Sequence, residues 1–234
     1  MKSWMEGDRI VFREDFEQLP MLITEEAIVS NLDWEVADIG GTAAATDCVY
    51  GAEGGILLTP QDQTTNDDIY LFPHLTSTQS LLTTLTWGTD NETIFEGVIV
   101  ARTSVATSSF IMGMSLTKVE DYSTDDDNVL IMYDDDDNSG MLQSNISVGG
   151  TDECILHGVS TPDAIPLVGK PLHFRFEFDK DQMARIYLNG CFLQQASFLD
   201  NRVDLIPFIG IRSDDNASTA TLGCRWLALS RVLR

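Results

Sequence analysis

Basic residues are scarce in this chain of 234 residues. Fourteen Lys and Arg stand against 37 Asp and Glu, a formal net charge of −23. Between Arg13 and Arg102 there is no Lys or Arg, while sixteen Asp or Glu lie there. Because nucleic acids and anionic membrane surfaces are bound through clustered Lys and Arg, we expect neither as a partner. The acidic surface fits either simple solubility or docking on a basic partner.

Long apolar stretches are also missing. A membrane-spanning helix needs about 18 consecutive apolar residues, and no such run occurs. The N-terminus becomes charged at once, with Lys2, Glu6 and Asp8, and has no apolar segment of the kind found in secretory signals. We therefore expect no export by a signal peptide and folding in a cytosol. Hydrophobic residues still make up 43% of the chain, enough for a core.

The four cysteines, Cys48, Cys154, Cys191 and Cys224, are too far apart to suggest a disulfide framework. We predict reduced and mostly buried thiols. Cys154 and His157 form a C-x-x-H pair, which is half of a zinc site, but no second half with tight spacing follows. The sequence therefore predicts no metal ligands.

Short β-type segments separated by turns dominate the chain. In 172–178 the phenylalanines alternate with polar residues, which predicts a strand with one buried face. Together with the Asn189-Gly190 turn, this indicates a three-stranded meander over 172–197. The best helix candidate is the short segment Thr24 to Ser30.

About a dozen such strands predict an all-β, two-sheet antiparallel β-sandwich of the jelly-roll type with at most short helices. We expect an N-terminal arm at 1–9 and a single sandwich domain over 10–234.

Catalytic constellations are weak. Glu177 and Asp179 share a strand face, but the Glu-x-Asp-x-(x)-Glu strand of sandwich glucanases lacks its last Glu here. No Gly-x-Ser-x-Gly elbow occurs. The three histidines, His74, His157 and His173, have no partner at a recognisable spacing. We therefore predict no catalytic residues, and a protein that is not an enzyme.

Two acidic clusters are candidates for calcium ligands. Asp135, Asp137, Ser139 and Gly140 match the first half of an EF-hand loop, but its twelfth position is Ile146 instead of Glu. The second cluster, 125–128, is expected to be a solvated loop. We predict no cofactor, and a loop Ca²⁺ ion is left open as the alternative.

Carbohydrate binding needs exposed aromatic rings beside planar polar groups. The tryptophans are Trp4, Trp34, Trp87 and Trp226. Trp34 and Trp226 lie in strand patterns and are expected in the core or at its rim. Trp87 is expected in a loop or at a partly buried strand end.

Three stretches carry a resemblance to a known family. They are Trp34, Gly40-Gly41-Thr42, 54–59 and 66–71; the meander 171–190; and 207–211 with 226–231. Together they resemble the concanavalin A-like (laminin-G-like) jelly rolls of tailed-phage structural proteins. The resemblance covers most of 10–234 and implies that the first and last strands pair.

The resemblance implies a bacteriophage virion structural protein, specifically a capsid decoration or cement protein that binds and stabilises the head shell. Its partners would be the major capsid protein or other virion proteins, with a homo-oligomer expected, and it would reside in virions assembled in the host cytoplasm. The alternative is a lectin-like, carbohydrate-binding module of a phage fibre or tail. A glycoside hydrolase is the third hypothesis.

Overall fold

The computed structural model describes residues 1–22, 33–39, 46–60, 67–73, 82, 85–102, 108–117, 125–134, 141–157, 168–199, 201–213 and 221–233. Their strands, in chain order, are β1 Lys2–Glu6, β2 Arg9–Glu14, β3 Met21–Leu22, β4 Trp34–Ile39, β5 Cys48–Tyr50, β6 Ile56–Leu58, β7 Asp67–Pro73, β8 Ile94–Ala101, β9 Ser108–Ser115, β10 Asn128–Asp134, β11 Met141–Val148, β12 Thr151–His157, β13 Pro171–Phe178, β14 Met183–Leu188, β15 Cys191–Ser197, β16 Ile206–Ser213 and β17 Leu222–Val232.

These strands form two sheets. The first sheet has nine strands in the order β1-β2-β17-β8-β13-β14-β15, with β6 paired to β17 and β5 paired to β6. The second has eight strands in the order β12-β11-β10-β9-β16-β7-β4-β3. All pairs are antiparallel except β3 with β4. The predicted all-β antiparallel sandwich is confirmed, and the expected helix at 24–30 lies outside the described residues.

Period-two alternation builds the core between the sheets. On β13, Phe174, Phe176 and Phe178 are buried while the residues between them are half-exposed. The ring of Phe95 on β8 lies 5.1 Å from that of Phe174, in an edge-on arrangement. Burying one such side chain stabilises the fold by roughly 1.5–3 kcal/mol. This repeated alternation fixes which face of each strand points inward.

The first and last long strands pair, as the resemblance implies. β2 runs antiparallel to β17, with Phe12 opposite Leu229. The 172–197 meander is also present as β13, β14 and β15, and Asn189 and Gly190 both have positive φ angles, 50° and 78°. The described residues contain no helix long and apolar enough to cross a membrane.

Part of the expected N-terminal arm is a strand. Residues 2–6 form β1, which pairs with β2 in full register from Lys2 opposite Arg13 to Glu6 opposite Arg9. This segment is therefore an edge of the first sheet instead of a loose extension. The division into an arm and one domain stays a prediction.

Candidate functional site

The outer face of the second sheet, which points away from the sandwich core, carries its own apolar cluster. On β7, Ile69 and Leu71 face the core, so the alternating residues Asp68, Tyr70 and Phe72 face outward. The cluster consists of Ala37, Tyr70, Phe72, Ile111, Leu130, Met132 and Phe208. All seven residues are buried, whereas Ser109 and Arg212, which lie beside the cluster on the same face, are partly exposed.

The Tyr70 ring packs against the neighbouring strand at a position where that strand has a glycine. Gly210 on β16 is directly opposite Tyr70. A Cβ atom at Gly210 would come within 2.4 Å of the Tyr70 ring. Phe208 lies on β16 two residues before Gly210, and its ring is 5.9 Å from the Tyr70 ring. Gly210 therefore leaves the room that the buried Tyr70 ring needs at this position.

An ion pair borders the Tyr70 ring. Arg212 is opposite Asp68 and donates two hydrogen bonds to its carboxylate, from Nε at 2.7 Å and from Nη2 at 2.8 Å. The Tyr70 hydroxyl donates a longer bond of 3.4 Å to the same carboxylate. The Asp68 side chain is 4% exposed, whereas that of Arg212 is 33% exposed. A bidentate pair of this kind holds the guanidinium in one orientation, with one side open to solvent.

A small cavity adjoins these groups. It has a volume of about 30 Å³, and its lining includes Tyr70, Ser109, Met132 and Arg212. That is the volume of about one water molecule, so it suits a hydroxyl-sized group. We call Asp68, Tyr70, Ser109 and Arg212 the outer-face site.

Two carboxylates on this face are too far apart to act as a hydrolase pair. Glu35 on β4 is opposite Phe72, four residues beyond Asp68 on β7. At about 3.3 Å per residue this places them roughly 13 Å apart along the strand direction. Paired glycosidase carboxylates lie about 5–10 Å apart. Asp68 and Glu35 therefore do not form such a pair.

This site was not predicted from the sequence. The segment 67–72 has the pattern of an apolar strand, and Arg212 received no role. The available signal was the alternation of Asp68, Tyr70 and Phe72, which puts a carboxyl and two rings on one face. Arg212 comes from a strand some 140 residues later, and only the sheet order brings it to Asp68.

Glu177 and Asp179 lie on the outer face of the first sheet, in an ion-pair network. Glu177 accepts hydrogen bonds from Arg175 Nε at 3.0 Å and from the Tyr187 hydroxyl at 3.1 Å. Burial opposes the ionisation of Asp179, but amide hydrogen bonds from Met183 and Asp181 and the Arg185 ion pair outweigh it and lower its pKa. Both carboxylates are thus held in place by hydrogen bonds and ion pairs within the sheet.

The acidic cluster 125–128 is more buried than the sequence suggested. Asp125 and Asp127 are buried, and only Asp126 is exposed. The Asp125 carboxylate accepts bonds from the backbone amide and hydroxyl of Thr117. The expected solvated loop is thus corrected, because these carboxylates accept hydrogen bonds from within the protein. The other cluster considered for calcium, Asp135 to Gly140, lies outside the described residues.

The Cys154–His157 pair does not converge. The Cys154 thiol donates to Asn145 Oδ1 at 2.9 Å, whereas His157 Nε2 lies 2.8 Å from the Ser144 hydroxyl. Burial lowers the pKa of His157. In the part of the chain that the structure describes, no group of three His, Cys, Asp or Glu could hold a metal ion.

The remaining candidates are scattered. Cys48 and Cys224 are buried, but Cys154 and Cys191 are exposed, so the expectation of mostly buried thiols is correct for half of them. His74 lies outside the described residues, and the His173 ring packs 5.6 Å from that of Trp226.

The tryptophans divide between the core and the surface. Trp34 and Trp87 are buried in the main core. Trp87 lies outside the strands, as the loop expectation has it, but its ring points into the core. Trp226 is half-exposed on the first sheet, with Arg13 over its ring at 4.4 Å. Trp4 is 45% exposed on β1.

Comparison with known proteins establishes the fold. No protein-family model and no curated protein sequence matches this chain. Among solved structures, the chain is similar to a Bacillus licheniformis β-glucanase, with a TM-score of 0.64 and 13% identity over 96% of this chain and 98% of that one. It is also similar to the carbohydrate recognition domain of Emp47p, with a TM-score of 0.58 and 13% identity over 97% of both chains.

A third similar structure is the alginate lyase A1-II′ of polysaccharide lyase family 7. Its TM-score is 0.57 and its identity 14%, over 87% of this chain and 96% of that one. Another is described as a glycosidic hydrolase. The prediction that this chain is not an enzyme is therefore corrected, because its fold is one that several named enzymes share. The concanavalin A-like part of the resemblance is confirmed, and the phage, capsid and cement part has no support from these neighbours. The chain therefore has the concanavalin A-like jelly-roll fold, and the similar structures include some named for carbohydrate recognition and others named as carbohydrate-active enzymes.

Proposed function

We propose that this protein is a carbohydrate-binding protein and that it holds the glycan at the outer-face site. The observation that carries the proposal is the partly exposed Arg212 guanidinium, which Asp68 holds beside the small cavity lined by Tyr70 and Ser109. Binding sites commonly combine a few fixed polar groups with an apolar wall. Sugars present matching chemistry, with hydroxyls around the ring and C–H groups on its faces. This supports the lectin-like alternative. No contact among the described residues supports the capsid-decoration hypothesis.

Each member of the site has a task in this proposal. Asp68 orients Arg212, and the exposed side of the Arg212 guanidinium donates hydrogen bonds to sugar hydroxyls. The Ser109 hydroxyl forms a hydrogen bond with a sugar hydroxyl that occupies the adjoining cavity. The edge of the Tyr70 ring and Met132 supply the apolar wall. Asp68 positions Arg212 and is not itself a contact.

The charge of the molecule selects the class of glycan. With a net charge of −23, the protein repels polyanions at a distance. The Arg212 cation is also compensated by Asp68. We therefore propose a neutral oligosaccharide as the ligand, in contrast to an acidic chain such as alginate.

The test is binding to an array of neutral gluco-, manno- and galacto-oligosaccharides, with alginate oligosaccharides as the acidic comparison. Calorimetry on the best neutral probe then compares wild type with Arg212→Ala and Arg212→Lys. Because a hydrogen bond to a charged group contributes about 1.5–3 kcal/mol, we expect Arg212→Ala to weaken binding by at least about tenfold. We expect Arg212→Lys to fall between wild type and Arg212→Ala, since it keeps the charge without the bidentate geometry.

The matched control is Arg175→Ala, which removes an ion-paired arginine from the outer face of the first sheet. It should leave glycan affinity unchanged. Thermal unfolding of every variant separates lost binding from lost folding, and assaying the bound probe for cleavage detects turnover. Failure of every neutral probe to bind, or equal affinity of Arg212→Ala and wild type, would contradict the proposal.

A further inference from the structure

β1 is the open edge of the first sheet, and its whole length is exposed. All five residues of Lys2–Glu6 are exposed, including Trp4 at 45% and Met5 at 53%. β1 pairs with β2 on one side, and it ends the strand order of its sheet. An edge strand presents unpaired N–H and C=O groups that can pair with another chain.

The sequence of β1 is complementary to itself. Two copies of this strand can pair antiparallel about a two-fold axis perpendicular to the sheet. In such a pair, each residue lies opposite a residue of the other copy whose side chain is on the same face of the sheet. The register that uses all five residues puts Trp4 opposite Trp4. It also puts Lys2 opposite Glu6 of the second copy, twice by symmetry, and Ser3 opposite Met5.

The charges at the strand ends favour this register. Lys2 Nζ lies 3.0 Å from Asp15 and 3.3 Å from Glu17. An ammonium has three donors, so one is left for Glu6 of a second copy. Among the described residues, Glu6 has no ion-pair partner of its own. Lysine within an edge strand usually discourages pairing, whereas here opposite charges flank a central aromatic residue.

The other sheet edges lack this pattern. β12 carries Asp152 and Glu153 with no Lys or Arg, so two copies would bring no opposite charges together. β15, at the far edge of the first sheet, carries no charged residue. β1 therefore stands out among these edges as one suited to its own copy.

We propose that this protein forms a two-fold homodimer in which β1 of each copy pairs antiparallel, joining the two first sheets into one continuous sheet. The interface consists of main-chain hydrogen bonds, the Trp4–Trp4 contact and two Lys2–Glu6 ion pairs. Because the axis is perpendicular to the sheet, both second sheets face the same side. The two outer-face sites then also face the same side; only this last consequence rests on the proposed function.

Charge exchange tests the pairing without any glycan. Sedimentation velocity in about 0.15 M salt, where the Debye length of about 8 Å screens the net repulsion, should show a monomer–dimer equilibrium for wild type. Lys2→Glu and Glu6→Lys should each weaken self-association at least tenfold, because like charges then face each other. An equal mixture of the two variants should recover dimers. In the mixed dimer the introduced glutamate of one variant faces the introduced lysine of the other, and the unchanged Lys2 faces the unchanged Glu6.

Lys180→Glu is the matched control, because it makes the same change of charge at an exposed lysine elsewhere. It should associate like wild type. A wild type that stays monomeric at submillimolar concentration would overturn the proposal. So would a variant mixture that associates no better than either variant alone. Neither outcome bears on glycan binding, so the two proposals can fail separately.

Discussion

At the scale of single residues, buried carboxylates in this protein accept hydrogen bonds from partners that lie far away along the chain. Asp127 is 3% exposed and accepts from the Gly149 backbone amide at 3.0 Å and from the side-chain amide of Asn201. These contacts join three separate segments at one end of the sandwich. The run of aspartates around Asp127 suggests a solvated loop in sequence, yet Asp127 is buried and holds these segments together. The sequence could not show this, because it does not reveal which donors contact each carboxylate.

Asp127→Ala should lower the free energy of unfolding by about 2–3 kcal/mol, because it leaves buried N–H donors without an acceptor. Urea denaturation measures the loss. Asp126→Ala is the control, since this neighbour is exposed, and its cost should stay below about 0.5 kcal/mol. Similar losses for both variants would show that Asp127 contributes only its charge.

At the scale of elements, strands with strict alternation were predictable from sequence and the outer-face site was not. The alternating phenylalanines identify β13, and Asn189-Gly190 identifies the turn after β14, because both signals are local. The outer-face site depends on β7, β9 and β16 lying side by side in the second sheet. That order is set by packing of the whole sandwich. β12 and β1 were likewise missed, since neither has a buried face to produce alternation.

Gly190→Ala should destabilise the β14–β15 hairpin through the backbone alone. Gly190 has φ 78°, and a Cβ atom there would meet nothing within 4 Å. A left-handed conformation costs an ordinary residue about 1–2 kcal/mol, which is the loss that we expect in urea denaturation. Gly190→Asn should lose less, because asparagine tolerates this conformation. Equal losses for Ala and Asn would instead indicate a steric clash.

At the scale of the whole molecule, the thiols report on the integrity of the sandwich. Cys48 and Cys224 belong to the core between the sheets, and Cys154 and Cys191 are exposed. Burial, with a smaller effect of Asp47, raises the pKa of Cys48 to about 12. Burial also raises the pKa of Cys224 well above its ordinary value.

Iodoacetamide at pH 8 should therefore label two thiols rapidly in the native protein and all four in urea. Since only the thiolate reacts, the two core thiols should be labelled only as fast as the sandwich opens. Mass spectrometry of the labelled peptides identifies the sites. Rapid native labelling of Cys48 or Cys224 would mean that the sheets separate locally near β5 and β17.

The position of β17 has a consequence for biosynthesis. β17 lies between β2 and β8 in the first sheet and also pairs with β6, yet a ribosome makes it after every other strand. Until it emerges, β2, β6 and β8 lack their central partner and expose strand edges and apolar side chains. Pairing across nearly the whole chain is slow, because a large loop must close before any contact is gained. The first sheet can therefore assemble only after β17 has been made, and until then its exposed edges and apolar side chains are open to aggregation.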